Sequence, residues 1–146
     1  MRILLVNGPN LSQLGSRDPD VYGTATLDDV VAAALDELGD RGELESFQSE
    51  SEGELISRLH AARSDGTDAV VINPGALSHY SYALRDALEL LDVVTVEVHL
   101  SQIHAREEFR RHSVVSPVVD VTISGAGVHS YRLGVQAALA LAEAAR

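Results

Sequence analysis

The feature that most constrains this chain is an alternation. Short apolar runs rich in β-branched residues take turns with stretches whose apolar residues recur at helical spacing. The runs are Ile3–Val6, Leu44–Gln48, Ala69–Ile72, Val93–Val98 and Val121–Ile123, of which Leu44–Gln48 is the weakest. Continuous apolar runs of this length suit parallel strands covered on both faces. Between them, Val30, Val31, Ala34, Leu35 and Leu38 share one face of a helix predicted over Leu27–Leu38. Thr26 and Asp29, three residues apart, form its N-terminal capping pair, and Gly39 and Gly42 end it. Leu55, Ile56, Leu59 and Ala62 make a second stripe, and Ala83, Leu84, Ala87, Leu88 and Leu91 a third. The Ala/Leu-rich stretch from Val128 to Ala145 predicts a closing helix.

Alternating βα units imply an α/β fold with a doubly wound parallel sheet. Five strands predict the flavodoxin-like order 2-1-3-4-5. At 146 residues the expectation is a single domain spanning 1–146. Two segments break the alternation. Gly8 to Gly23 reads as a long loop carrying Gly15, Pro19 and Gly23, and loops of that length are commonly functional. Leu100 to Pro117 is charged and irregular, with one helical turn expected near Arg106–Arg111. It runs into Val114–Val119, an apolar stretch expected to be a subunit contact.

Composition removes whole function classes. All eleven basic residues are arginine, and there is neither lysine nor cysteine. A Schiff-base mechanism, a pyridoxal site and a Gly-Lys-Ser/Thr phosphate loop all need a lysine. Disulfides, thiolate nucleophiles and sulfur-ligated metals need cysteine. A net charge of −11 argues against non-specific binding to nucleic acid or an anionic membrane. No apolar run approaches the ~18 residues of a membrane span. The first residues read as a buried strand rather than a signal peptide, which makes a cytoplasmic location the expectation.

In an open α/β sheet, ligands bind beyond the carboxyl ends of the strands. The three asparagines, Asn7, Asn10 and Asn73, all lie just after predicted strands, although asparagine is also an ordinary turn residue. Glu97 and His99 are spaced i, i+2, so a strand points both to one face. A carboxylate there fixes the imidazole's tautomer and suits it to general-acid work. The apolar run before them favours this over a surface pair. Arg106, Arg110 and Arg111 cluster nearby and offset the chain's charge for a small anionic substrate. Alone they read equally as a solvated helix face, since Glu107 and Glu108 sit among them. Arg17 and Tyr22 lie five residues apart in the long loop. A phenol is a poor base at neutral pH, and ionising one costs ~3–4 kcal/mol. A guanidinium ~4 Å away contributes ~4 kcal/mol at an effective dielectric of ~20, so one is barely enough and two suffice. Spacing alone favours an exposed loop tyrosine over that pair. His99, His104 and His112 are imaginable as metal ligands, but without cysteine or a His-Glu-x-x-His pattern the signal is weak.

Three motifs reach a family. They are Asn7-Gly8-Pro9-Asn10-Leu11 continuing through Leu14-Gly15-x-Arg17-x-Pro19-x-x-Tyr22-Gly23; Asn73-Pro74-Gly75-Ala76-x-Ser78-His79 followed by Asp86-Ala87-Leu88; and Glu97-Val98-His99-Leu100-Ser101-x-Ile103-His104-x-Arg106-Glu107-x-Phe109-Arg110. Together they resemble the type II 3-dehydroquinate dehydratases over essentially the whole chain. The resemblance implies a cofactor-free, metal-free dehydration of 3-dehydroquinate to 3-dehydroshikimate, in the shikimate pathway or in quinate catabolism. It implies Tyr22 as a tyrosinate base, with Arg17 and Arg106 holding it ionised. Asn10 would position a water against an enolate, and His99, oriented by Glu97, would protonate the departing hydroxyl with help from Asn73. The Leu100 and Ser101 amides and the Ser101 hydroxyl would hold the carboxylate, and His79 and Arg110 ring hydroxyls. Asp86 would reach a neighbouring subunit's site in a dodecamer built of trimers.

Some positions depart from the family pattern. Gln102 stands where asparagine is expected, and Val128-His129-Ser130 replaces a Gly-rich turn before Tyr131. Tyr80 and Tyr82 are bulkier than expected. Two other classes fit the sequence less well. A flavodoxin-like binding module wants a Ser/Thr-rich phosphate loop where this chain has Asn-Gly-Pro-Asn, and it would purify yellow. A phospho-receiver domain wants acidic residues and a lysine where Asn7, Asn73 and no lysine occur.

Overall fold

The computed structural model describes residues 1–145. The strands are β1 (Arg2–Asn7), β2 (Glu43–Gln48), β3 (Ala69–Asn73), β4 (Val94–His99) and β5 (Val121–Ser124). They pair in parallel in the order β2-β1-β3-β4-β5, as the alternation predicts. The helices are α1 (Pro19–Tyr22), α2 (Leu27–Leu38), α3 (Glu52–Ala62), α4 (Tyr82–Glu89) and α5 (His129–Ala144).

Both faces of the sheet are covered, which is why the strand runs carry little polar alternation. Ile3, Leu5, Val71, Val96 and Val98 face α2 and α5. Leu4, Val6, Val70 and Ile72 face the opposite way, against Leu55 and Leu59 of α3 and Leu84 and Leu88 of α4. Gly134 lets α5 settle closely on the sheet, since a Cβ there would lie 2.7 Å from Val98 Cγ1. The predicted cap of α2 is present. Thr26 Oγ1 accepts from the Asp29 amide at 3.2 Å, and Asp29 Oδ2 accepts from the Thr26 amide at 2.9 Å. Gly39 terminates the helix.

Three boundaries differ usefully from the sequence reading. Asn7 and Asn73 do not follow their strands but close them, as an in-register pair on β1 and β3. His99 likewise ends β4. The polar strand ends are thus rigid sheet positions. The two irregular segments are also more ordered than expected. Gly8–Gly23 contains a 3₁₀ turn at Leu11–Gln13 and the single helical turn α1. Leu100–Pro117 contains 3₁₀ turns at Ile103–Ala105 and Glu108–Arg111, with a third starting at Ser116. Val115 is fully buried in the chain's own core, and Val114, Val118 and Val119 pack around it.

From β1 the chain crosses over to β2, and from β3 to β4 on the other side. The β1/β3 boundary is therefore the topological switch point, where such sheets open a crevice beyond their carboxyl ends. Gly8 keeps that crevice tight, since a Cβ there would sit 2.5 Å from the Pro74 carbonyl oxygen.

Candidate active site

A cleft of about 110 Å³, partly open to solvent, lies at this switch point. Loops after β1, β3 and β4 supply its walls. Every residue to which the family resemblance gives a role lines it except Glu97, which stands behind His99, and Asp86, which is exposed on α4.

The β4 wall carries the His99–Glu97 pair. His99 Nε2 donates to Glu97 Oε1 at 2.7 Å, and both side chains are buried. That leaves Nδ1 as the ring nitrogen available to the cleft. Glu97 also accepts from the Ser113 hydroxyl at 2.9 Å, the Thr122 hydroxyl at 3.3 Å, and the Ser116 hydroxyl. Burial pushes its carboxyl up, but the His99 hydrogen bond and charge and the two serines together outweigh this and hold it below the usual carboxylate range. Glu97 is therefore an anion fixed by four donors, and it holds the His99 ring in one orientation.

His79 lies nearly parallel to His99, with ring centroids 6.4 Å apart and planes 19° apart. Its Nδ1 donates to the His112 carbonyl at 2.7 Å. Burial, with the charges of His99 and Arg110 adding, holds its imidazole below the ordinary range. His79 is thus a neutral polar group at neutral pH.

A further wall comes from the long loop. Tyr22 ends α1, whose N-cap Asp18 accepts from the Asp20 amide at 3.0 Å. Arg17 Nη2 donates to the Tyr22 hydroxyl at 2.8 Å, and its Cζ lies 3.8 Å from the ring centroid. Arg106 brings a second guanidinium, with Cζ 5.1 Å from that centroid, and its Nη1 donates to Ser101 Oγ at 3.4 Å. The loop tyrosine that spacing left exposed is thus half-buried between two permanent cations. Gly15 and Gly23 flank this part of the loop, both at positive φ (91° and 73°). Arg110 joins Arg106 at the cleft, but Arg111 does not: its Nε donates to the Arg106 carbonyl at 3.2 Å from an exposed position.

The floor holds a connection that spacing did not reveal. Tyr131, fully buried on α5, donates its hydroxyl to Asn7 Oδ1 at 2.7 Å and accepts from Asn73 Nδ2 at 2.8 Å. Asn73 Oδ1 in turn accepts from the Gly75 amide at 3.1 Å. Burial pushes the Tyr131 phenol well up, so it is a neutral bridge. A tyrosine on an apolar helical stripe carries no sequence signal for this. The departures are accommodated locally. Gln102 caps the turn after it, its Oε1 accepting from the His104 amide at 3.4 Å and the Ser124 hydroxyl at 3.1 Å. Ser130 Oγ accepts from the Ala126 amide at 3.1 Å, tying down the turn that glycines were expected to make. Among the described residues no group of three His, Asp or Glu side chains is placed to hold a metal ion, so His99, His104 and His112 do not converge. Among them, too, no helix is long and apolar enough to cross a membrane.

The fold and site define a flavodoxin-like α/β protein whose switch-point cleft opposes a cation-flanked phenol and a carboxylate-backed imidazole. Comparison with known proteins places it further. The family model for Dehydroquinase class II matches residues 1–139. A 3-dehydroquinate dehydratase of Pelotomaculum thermopropionicum is 50% identical over 143 residues, covering 97% of this chain and 99% of that one. A catabolic 3-dehydroquinase of Botryotinia fuckeliana is 51% identical, covering 92% of this chain and 90% of that one. The crystal structure of the type II dehydroquinase of Butyrivibrio crossotus superposes with a TM-score of 0.93 at 40% identity, covering 95% of this chain and 97% of that one. The chain belongs to the class II dehydroquinase family.

Proposed function

We propose that the protein dehydrates 3-dehydroquinate to 3-dehydroshikimate through an enolate, using Tyr22 as base and His99 as acid. The observation that carries this reading is the pairing of Arg17 with Tyr22 across one cleft from the His99–Glu97 pair. The elimination needs a base for the proton alpha to the ketone, an acid for the departing hydroxyl, and stabilisation of the charge between them.

Each group has a physical reason for its role. Two guanidiniums stabilise negative charge on the Tyr22 oxygen, and neither can lose its own charge. Asn10, at the cleft's edge, positions a water against the enolate oxygen. His99 delivers a proton from Nδ1, with Glu97 stabilising the imidazolium and fixing its direction. Asn73 has one amide hydrogen beyond the one given to Tyr131, and it points this toward the same hydroxyl. The Leu100 and Ser101 amides with the Ser101 hydroxyl hold the substrate carboxylate, and neutral His79 and Arg110 take ring hydroxyls. Asp86, exposed and outside its own cleft, serves a neighbouring subunit in trimers that assemble into a dodecamer. The reaction needs no metal, no cofactor and no lysine imine, and a cytoplasmic location suits it.

The test is turnover of 3-dehydroquinate by purified protein, followed by the ultraviolet absorbance of the conjugated enone product. The expected result is turnover that a chelator does not change. Loss of activity that added metal restores overturns the metal-free part, and absence of turnover overturns the assignment.

A further inference from the structure

Asn10 is the only non-glycine residue at positive φ (68°) among the described residues. Left-handed backbone is costly for a residue with a Cβ, though asparagine tolerates it better than most. Such a conformation persists only where its surroundings impose it. Here the imposing group is a carboxylate from another element. Glu50, two residues beyond β2, accepts the Asn10 backbone N–H on Oε2 at 2.7 Å and the Ser12 hydroxyl on Oε1 at 2.6 Å. Gln48 Nε2 donates to the same Oε1 at 2.8 Å and to the Gly8 carbonyl at 3.3 Å. The base of this bridge is fixed, because the Ser49 amide donates to the Asn7 carbonyl at 3.1 Å beside the end of β1. The Ser12 and Asn10 bonds hold the Glu50 carboxyl below its usual range, so it is an anion at working pH.

We infer that Glu50 is a positioning residue for the dehydration, acting through the Asn10 backbone to hold the root of the Gly8–Gly23 lid and aim Asn10 into the cleft. The inference rests on the role given above to Asn10. An acidic group beside a cleft for an anion opposes substrate binding, so its placement is explained by what it holds. Glu50 touches no reacting atom in this scheme, and its loss should appear in kcat more than in KM.

The test is a double-mutant cycle of Glu50→Ala with Asn10→Ala, with Glu50→Gln as the conservative variant. Charge-assisted bonds at an exposed site predict that Glu50→Ala lowers kcat about tenfold, with KM within about threefold. Glu50→Gln keeps one acceptor oxygen and should fall between Glu50→Ala and wild type. On the Asn10→Ala background, Glu50→Ala should cost less than about twofold, because the group it positions is already gone. Amide exchange across residues 8–16 should accelerate about tenfold in Glu50→Ala while β1 is unchanged. A wild-type kcat in Glu50→Ala, or the same loss with and without Asn10, overturns the inference. An inactive wild type refutes the dehydratase assignment instead. The latch is then decided by exchange alone: acceleration at the lid root supports it, and unchanged exchange overturns it.

Discussion

Arg17→Ala asks how the proposed base carries its negative charge. Ionising an ordinary phenol at neutral pH costs about 4 kcal/mol. A guanidinium about 4 Å from that charge returns about 4 kcal/mol at an effective dielectric of ~20. Arg17 has this geometry, with Nη2 2.8 Å from the Tyr22 hydroxyl and Cζ 3.8 Å above the ring. Both side chains are half-exposed, so solvent screening trims the gain, and about 2 kcal/mol is the low end. Arg106 remains in the variant, with Cζ 5.1 Å from the ring centroid. The expected loss in kcat at pH 7 is therefore between about 30-fold and about 1000-fold. The shape of the pH dependence separates this role from substrate binding. Rising pH supplies the phenolate without help, so the ratio of variant to wild-type kcat should climb between about pH 7 and pH 10. Using the ratio cancels the titration of groups common to both proteins. Arg17→Lys keeps the charge but loses the planar fork, and should fall between the two. A loss that is constant across pH, or confined to KM, refutes the reasoning.

Tyr22→Phe should lower kcat by at least ~10²–10⁴-fold and, unlike Arg17→Ala, should not recover at alkaline pH; near-normal turnover removes Tyr22 as base. Glu97 is held below the usual carboxylate range, so its contribution to stability is complete above that range and lost as pH falls through the folded value. Glu97→Gln should thus lose about 2 kcal/mol near neutral pH in denaturant unfolding, with the gap to wild type closing in acid; parallel pH curves contradict this. Tyr131→Phe strands Asn7 Oδ1 and Asn73 Nδ2 in the core and should cost about 2–4 kcal/mol by the same measurement, whereas an unchanged midpoint means the bridge contributes nothing. Mixing inactive Asp86→Ala with inactive Tyr22→Phe under subunit exchange should restore activity, and persistent inactivity argues against a shared site.

The architecture was legible because burial on both faces leaves a plain mark. Strands covered by α2 and α5 on one side and by α3 and α4 on the other cannot alternate, so their apolar runs stand out. β2 was the weakest run for the same reason. It is an edge strand with no fully buried position, and its sequence carries the charges of that exposure. The single turn α1 was illegible because four residues hold no period; only Asp18 before Pro19 marks it, a cap and a helix-starting proline. Val114–Val119 was legible only as an apolar run outside regular structure; Val115 joins the chain's own core, while Val114, Val118 and Val119 stay partly exposed.

For the site, spacing within one strand was enough for Glu97 and His99, because i, i+2 geometry survives any fold. What joins different elements was not legible. The hydroxyls that hold Glu97, the bridge through Tyr131 and the latch at Glu50 are ordinary residues made specific by where the chain places them. The arginines show the same limit and how structure lifts it. In a chain of net charge −11, most guanidiniums near carboxylates are neutralised locally. Two of the three cleft arginines follow that pattern, Arg110 and Arg106 lying 2.9 Å and 3.6 Å from Glu107. Arg17 forms no carboxylate ion pair among the described residues, and its bond goes to Tyr22 instead. Its charge is therefore the one least spent elsewhere, which is why the perturbation that most directly probes the base falls on Arg17 rather than on Arg106 or Arg110, which Glu107 also claims.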